Sequence, residues 1–139
     1  CRYAFADAFT LSDSLKGEKF DIAFSQGFFE HFSDAQIEKL VDEQLKAAKY
    51  VMFSVPSYYY PQLDFGNERL MRLEQWHSIL AKYNILSITP YSPRLRGIKS
   101  LLADLFTKPW RFLPWRQPAH ILAVLTAKNN VYVSIVKLL

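Results

Sequence analysis

Phe20-Asp21-Ile22-Ala23-Phe24-Ser25-Gln26-Gly27-Phe28-Phe29-Glu30-His31-Phe32-Ser33-Asp34 is the stretch on which the fold turns. Residues 20–25 form a short apolar run that stops at Ser25-Gln26-Gly27, which reads as a buried strand closed by a turn. A helix start follows. Ser33 or Asp34 can cap it, and Gln36 stands three residues after Ser33, the spacing of a capping box. Ile37, Leu40, Val41, Leu45 and Ala48 then recur at helical spacing, with Glu38, Lys39, Asp42, Glu43 and Lys46 between them. Strand, turn, capped helix is one half of a crossover unit.

The rhythm continues downstream. Residues 50–55, Tyr-Val-Met-Phe-Ser-Val, read as a second strand stopped by Pro56, and Pro56-Ser57-Tyr58-Tyr59-Tyr60-Pro61 must be a loop. Residues 68–83 predict an amphipathic helix carrying Leu70, Leu73, Trp76, Ile79 and Leu80, and 85–91 a strand. Residues 94–106 predict another helix, striped by Leu95, Ile98, Leu101, Leu102, Leu105 and Phe106. Residues 108–118 form a basic, aromatic loop, and 120–127 a closing apolar strand; 131–139 are one more strand or a tail foreign to the fold. This alternation specifies an α/β domain with a mostly parallel sheet and helices on both faces. The opening, Cys1-Arg2-Tyr3-Ala4-Phe5-Ala6-Asp7, reads like a strand entered in mid-fold, so the expectation is a truncated single domain over 1–139 with a basic helical insertion at 92–118.

Composition excludes several classes. The chain has 139 residues, 50% hydrophobic and 22% charged, which suits one folded domain and excludes disorder. A single cysteine, Cys1, closes no intramolecular disulfide. No apolar run approaches the roughly 20 residues of a membrane span, so a cytoplasmic protein is the default expectation. The net charge of +4 is uneven. Residues 1–91 hold nine Lys/Arg against twelve Asp/Glu (9 − 12 = −3), whereas 92–139 hold eight against Asp104 alone (8 − 1 = +7). Such a split points the second part toward an anionic partner.

In open α/β sheets ligands bind beyond the carboxyl ends of the strands. Three such ends are legible: Ala6-Asp7-Ala8-Phe9, Ser25-Gln26-Gly27 running on to Glu30-His31, and Ser54-Val55-Pro56-Ser57-Tyr58. His31, His77, His120 and Cys1 show no zinc-like spacing, so no metal site is expected. No nucleophile–base pair stands out, and no catalytic residue is assigned.

Residues 20–32 resemble the fourth-strand motif of class I S-adenosylmethionine-dependent methyltransferases, in which the strand runs into a Glu-His pair and then a capped helix. Ala6-Asp7-Ala8-Phe9 resembles the family's acidic turn, residues 50–56 its fifth strand, Leu73-Glu74-Gln75-Trp76 the start of its late helix, and 120–128 its final, antiparallel strand. The resemblance covers roughly 1–127. It implies S-adenosyl-L-methionine as cofactor, held by Asp7, Ala8, Phe9, Ser25, Gln26, Gly27, Glu30 and His31, with the Asp7 carboxylate on the adenine amino group. It implies methyl transfer to a small or medium-sized acceptor. Tyr58 and Tyr59 are the expected acceptor-binding residues, together with Arg94 and Arg96, which would attract an anionic acceptor. The family's Gly-rich loop and the acidic residue that holds the ribose hydroxyls are absent from this sequence. The 139 residues alone are therefore expected to bind the cofactor weakly and to be inactive, and 1–6 to be detached from the sheet. Methyl transfer itself needs chiefly alignment and exclusion of water, and the 94–118 insertion is the expected cover. The alternative is a non-catalytic interaction module whose basic amphipathic helix meets an anionic partner or a membrane surface. Nucleic-acid binding lacks a recognisable motif.

Overall fold

The computed structural model describes residues 5–60, 66–91 and 118–128. Within them β1 (Phe20–Gln26), β2 (Ala48–Pro56), β3 (Asn84–Tyr91) and β4 (His120–Thr126) form a four-stranded sheet in the order β1-β2-β4-β3. β1 and β2 pair in parallel, with Ile22 opposite Tyr50 and Gln26 opposite Ser54. β4 runs antiparallel to both of its neighbours, placing Pro56 opposite His120 and Tyr91 opposite His120 on its other side. The strands expected at 20–25, 50–55, 85–91 and 120–127 are present, the last of them reversed, and the candidate strand at 131–139 lies outside the described residues. Three strands point the same way, but only one of the three pairings is parallel, because the reversed strand sits inside the sheet and spoils two of them.

The helix α1 (Leu11–Ser14) precedes β1, α2 (Asp34–Ala47) connects β1 to β2, and α3 (Leu73–Ile79) lies between β2 and β3. α2 begins as its sequence dictates: the Gln36 carboxamide accepts hydrogen bonds from the Ser33 backbone N–H at 3.0 Å and from Ser33 Oγ at 2.9 Å. Its stripe of Ile37, Leu40 and Val41 is fully buried. It packs with Trp76, Ile79 and Leu80 against Val51, Phe53 and Val55 of β2 and Ile121, Ala123 and Leu125 of β4. These strand residues alternate along their strands, so they occupy one face of the sheet. Both α2 and α3 therefore lie on that face. Among the described residues no helix covers the other; the helix expected over 94–106 lies outside them.

Two further corrections concern burial and boundaries. β1 is not buried: Phe20, Ile22 and Phe24 are 45%, 53% and 56% exposed. Among the described strands it pairs with β2 alone, and its alternate apolar side chains point to the face that no described helix covers. The helix predicted over 68–83 is confined to Leu73–Ile79. Its expected first turn is held extended instead, since the Arg69 N–H bonds Glu30 O at 2.8 Å and the Tyr58 N–H bonds Met71 O at 3.0 Å. At the helix start the Arg72 N–H donates to Gln75 Oε1 at 2.9 Å. Glu43, expected on the solvated side of α2, is buried. Its carboxylate takes the Ser12 N–H at 3.1 Å, Ser12 Oγ at 2.7 Å and Lys46 Nζ at 2.6 Å, tying α1 to α2.

Phe5 is fully exposed and Ala6 belongs to no strand. Residues 1–4, the expected insertion at 92–118 up to residue 117, and the tail from 129 lie outside the described residues.

Candidate functional site

The site forms where β1 and β2 end and β4 begins. The ladder between β1 and β2 extends one step past the strand, with the Gly27 N–H donating to Ser54 O at 2.9 Å. Gly27 then turns at φ +60°, a left-handed conformation that a side chain disfavours. The chain drops into a single 3₁₀ turn over Phe29–His31. Phe29 is driven into the core, edge-on to Phe53 at 4.8 Å between ring centroids, and this fixes its neighbour Glu30 at the strand ends. From the other side β4 delivers His120. Its approach is pinned by the Ser57 N–H bonding Ala119 O at 2.8 Å and by Ser57 Oγ bonding Pro118 O at 2.7 Å.

Between them lies a cavity of about 200 Å³ lined by Gln26, Gly27, Glu30, His31, Ser54 and His120, with Tyr60 and Glu68 at its sides. The His120 ring is packed between Tyr60, edge-on at 5.2 Å, and Tyr91, tilted at 5.5 Å. The Tyr91 hydroxyl lies 2.5 Å from Oγ of Ser54, a residue of the cavity wall. His31 Nδ1 stands 2.9 Å from Asn67 Oδ1, a carbonyl that can only accept, and His31 Nε2 is 4.0 Å from Glu30 Oε1.

The electrostatics are set by burial. Glu30 is 3% exposed, and its Oε2 is buried with no hydrogen-bond partner. Burial pushes its carboxyl above the usual range. A backbone N–H and nearby His31 pull it back, and the charge of Glu68 pushes it further up. Burial likewise holds the His120 imidazole below its ordinary value, and its buried Nδ1 has no hydrogen-bond partner among the described residues. A larger groove of about 580 Å³ lies at the opposite end of the sheet, between Lys39, Lys46, Lys82 and Lys128. Its charges largely answer one another, Lys46 with Glu43 and Lys82 with Glu38 and Asp42. It sits at the amino ends of β1 and β2, where α/β sheets do not bind their ligands.

The expected cofactor residues Ser25, Gln26, Gly27, Glu30 and His31 are gathered at the carboxyl end of β1, and all but Ser25 line the cavity. Asp7 caps its own short turn, accepting the Phe9 N–H at 2.9 Å. Phe9 stacks edge-on to Phe32 at 5.6 Å, so Asp7, Ala8 and Phe9 lie beside the turn that follows β1 without reaching the cavity wall. Tyr58 and Tyr59 are exposed and contact each other, and Arg72 covers the Tyr58 ring at 4.4 Å; neither tyrosine lines the cavity, whereas Tyr60 does. Arg94 and Arg96 lie outside the described residues. Among the described residues no cluster of His, Cys, Asp and Glu could hold a metal ion, and no helix is long and apolar enough to cross a membrane.

Sequence reasoning missed Glu68 and His120, and it placed Ser54 at a ligand-binding strand end without assigning it a role. The signal for His120 was present: a final strand that runs antiparallel starts at the end where its neighbours finish. Glu68 carried no such signal, because its position depends on residues 68–71 being extended rather than helical.

No protein-family model matches the chain, and no curated protein does. Solved structures do. A methyltransferase described as S-adenosylmethionine dependent, from Archaeoglobus fulgidus, superposes with a TM-score of 0.56 over 88% of this chain, at 13% identity. Another, from Mesorhizobium loti, gives 0.52 over 87% at 14% identity. The small RNA methyltransferase HEN1 gives 0.52 over 81% at 13% identity. This chain spans 66%, 67% and 14% of those three chains. The described residues share the fold of these methyltransferases.

Proposed function

We propose that this chain supplies one side of the active site of an S-adenosylmethionine-dependent methyltransferase acting on a small or medium-sized acceptor. The observation that carries the reading is the cavity at the carboxyl ends of β1 and β2, built on the Gln26–Gly27 turn and Glu30, in a sheet whose fold these methyltransferases share. The residues present fit part of such a cofactor. Gly27 has no side chain to block an approach to the strand ends, and a Cβ there would come within 3.5 Å of Glu30 Oε1. Asp7 has one carboxylate oxygen engaged in its cap, leaving the other for an adenine amino group. The Gly-rich loop and the ribose carboxylate have no counterpart here.

When bound, the cofactor offers a methyl group already activated on a sulfonium. What this chain contributes is position. Gln26 and Gly27 shape the floor beneath the ligand, the Glu30 carboxylate sets a negative field, and the Ser54–Tyr91 pair with the packed His120 ring keeps the walls rigid. The competing reading as an interaction module rests on 92–118, of which only Pro118 is described, and no other observation favours it.

Irradiation of the chain with methyl-labelled S-adenosylmethionine, followed by peptide mapping, tests the proposal and captures weak binding. Label is expected in the peptide containing 20–31. Label confined to 39–46 and 82–83, or none that unlabelled cofactor can suppress, would contradict it.

A further inference from the structure

The cavity carries a chemical preference that the fold alone does not dictate. Its charged lining among the described residues is the carboxylates Glu30 and Glu68; neither Lys nor Arg lines it. The cation next in sequence, Arg69, is turned away, with its guanidinium on Phe32 O at 2.5 Å and Asp34 Oδ1 at 2.6 Å. Glu30 is more than nine-tenths buried; its Oε1 stands 4.0 Å from His31 Nε2, and its Oε2 has no hydrogen-bond partner among the described residues. A buried carboxylate oxygen without a partner is costly, and a donor entering the cavity beside it would offset that cost. Two aromatic groups, Tyr60 and His120, wall the same space, and aromatic walls beside a carboxylate suit an alkylammonium group.

Resting on the methyltransferase reading, we infer that the Glu30 side of this cavity is the acceptor subsite, beside the donor's place at Gln26 and Gly27, and takes an organic ammonium group with the Glu30 carboxylate as its counter-ion, so that the acceptor is an amine. The anionic acceptor expected from the sequence depends on Arg94 and Arg96, which lie outside the described residues; the cavity itself is built for the opposite charge. The small volume, about 200 Å³, admits a single amine-bearing group rather than a bulky one.

The same cavity could instead hold a cationic group of the methyl donor, and the test separates the two sources. Benzylammonium and its neutral counterpart benzyl alcohol are titrated into the 139-residue chain by ligand-observed NMR, with and without saturating S-adenosylmethionine. Binding of the donor is followed separately through the backbone amides of Gln26 and Gly27. Benzylammonium should bind at least about tenfold more tightly than benzyl alcohol, the range of one charge-assisted hydrogen bond. Glu30→Gln should erase that preference, and added donor should leave the benzylammonium signal in place. Equal binding of the two probes, no binding of either, or a Glu30→Gln variant that keeps the preference overturns the inference. So does displacement of benzylammonium by the donor, which would make this the donor's own cation site. If Glu30→Gln fails to fold, the comparison of the two probes on the native chain still decides. Loss of the ammonium preference with the donor bound would leave methyl transfer standing without an amine acceptor. Benzylammonium held with no donor bound anywhere would leave the ammonium site standing and remove methyl transfer.

Discussion

Pro56 and His120 stand opposite one another across the antiparallel ladder between β2 and β4. The last described strand thus begins where the parallel pair ends, and an imidazole from the carboxyl half of the chain joins a carboxylate from the amino half in one cavity. The ring is held by Tyr60 on one side and Tyr91 on the other. Removing the Tyr91 hydroxyl should loosen this wall. Tyr91→Phe leaves buried Ser54 Oγ without its 2.5 Å partner and should cost about 1–2 kcal/mol in stability. Urea unfolding of the variant checks it, and an unchanged midpoint would show that Ser54 finds another partner.

Acid should unfold the protein partly through Glu43. Hydrogen bonds from Lys46 and then Ser12 lower its carboxyl to about 2, against an ordinary value of 4.5. The folded-state value is the lower one, so the carboxylate's stabilisation is complete above about pH 4.5 and is lost as the pH falls toward 2. Glu43→Gln should therefore flatten the loss of stability between those pH values and reduce stability at pH 7 by about 1–3 kcal/mol. Stability curves for both proteins from pH 7 to 2 that run parallel would refute this.

Trp76 is fully buried against Phe53 at 5.3 Å between ring centroids, where α3 meets the sheet. Trp76→Ala should cost roughly 3–5 kcal/mol, enough to unfold a marginal domain. Trp76→Phe, which fills much of the space, should retain a cooperative thermal transition; loss of that transition would show that the indole does more than fill volume.

The outward face of β1 should associate. Phe20, Ile22 and Phe24 present apolar side chains on an edge strand whose second side pairs with no described strand, and such an edge is a template for other chains. Replacing Phe24 by Lys should lower the sedimentation coefficient at high concentration without lowering the melting temperature. A native chain that is monomeric at every concentration would contradict this account.

Much of this was legible in the residues. The β1 turn, the Ser33–Gln36 cap, the stop at Pro56 and the apolar spacing of α2 are local signals, and each produced the expected element. What failed was not local. Glu43 reads as solvent-facing because its partner Ser12 lies in another element, and Glu68 reads as helical because nothing in its own neighbourhood reports the backbone bonds to Glu30 and Tyr58 that hold 69–71 extended. The burial of β1 was misjudged for the same reason: an apolar run reports a preference for cover, not whether cover is there. At the site, Gln26, Gly27, Glu30 and His31 came from a contiguous motif, whereas His120 and Ser54 meet them only through the ladder.

Asp7 offers a prediction that separates binding from folding. With one oxygen on the Phe9 N–H and the rest of the side chain exposed, Asp7→Ala should leave the melting temperature nearly unchanged. If its carboxylate also receives the adenine amino group, the same change should weaken cofactor binding by roughly 1–3 kcal/mol. Equal affinities for native and variant chains would reduce Asp7 to a turn former.

The central claim is that the carboxyl ends of β1 and β2 receive S-adenosylmethionine. An NMR titration of the isotopically labelled chain with S-adenosylhomocysteine, the stable product form of that cofactor, measures it most directly, because weak binding still shifts resonances. The amides of Gln26, Gly27 and Glu30, with those of Asp7 and Phe9, should move together on one binding curve while Lys46, Lys82 and Lys128 at the opposite end stay still. Shifts confined to that opposite end, or none at millimolar ligand, would contradict the account.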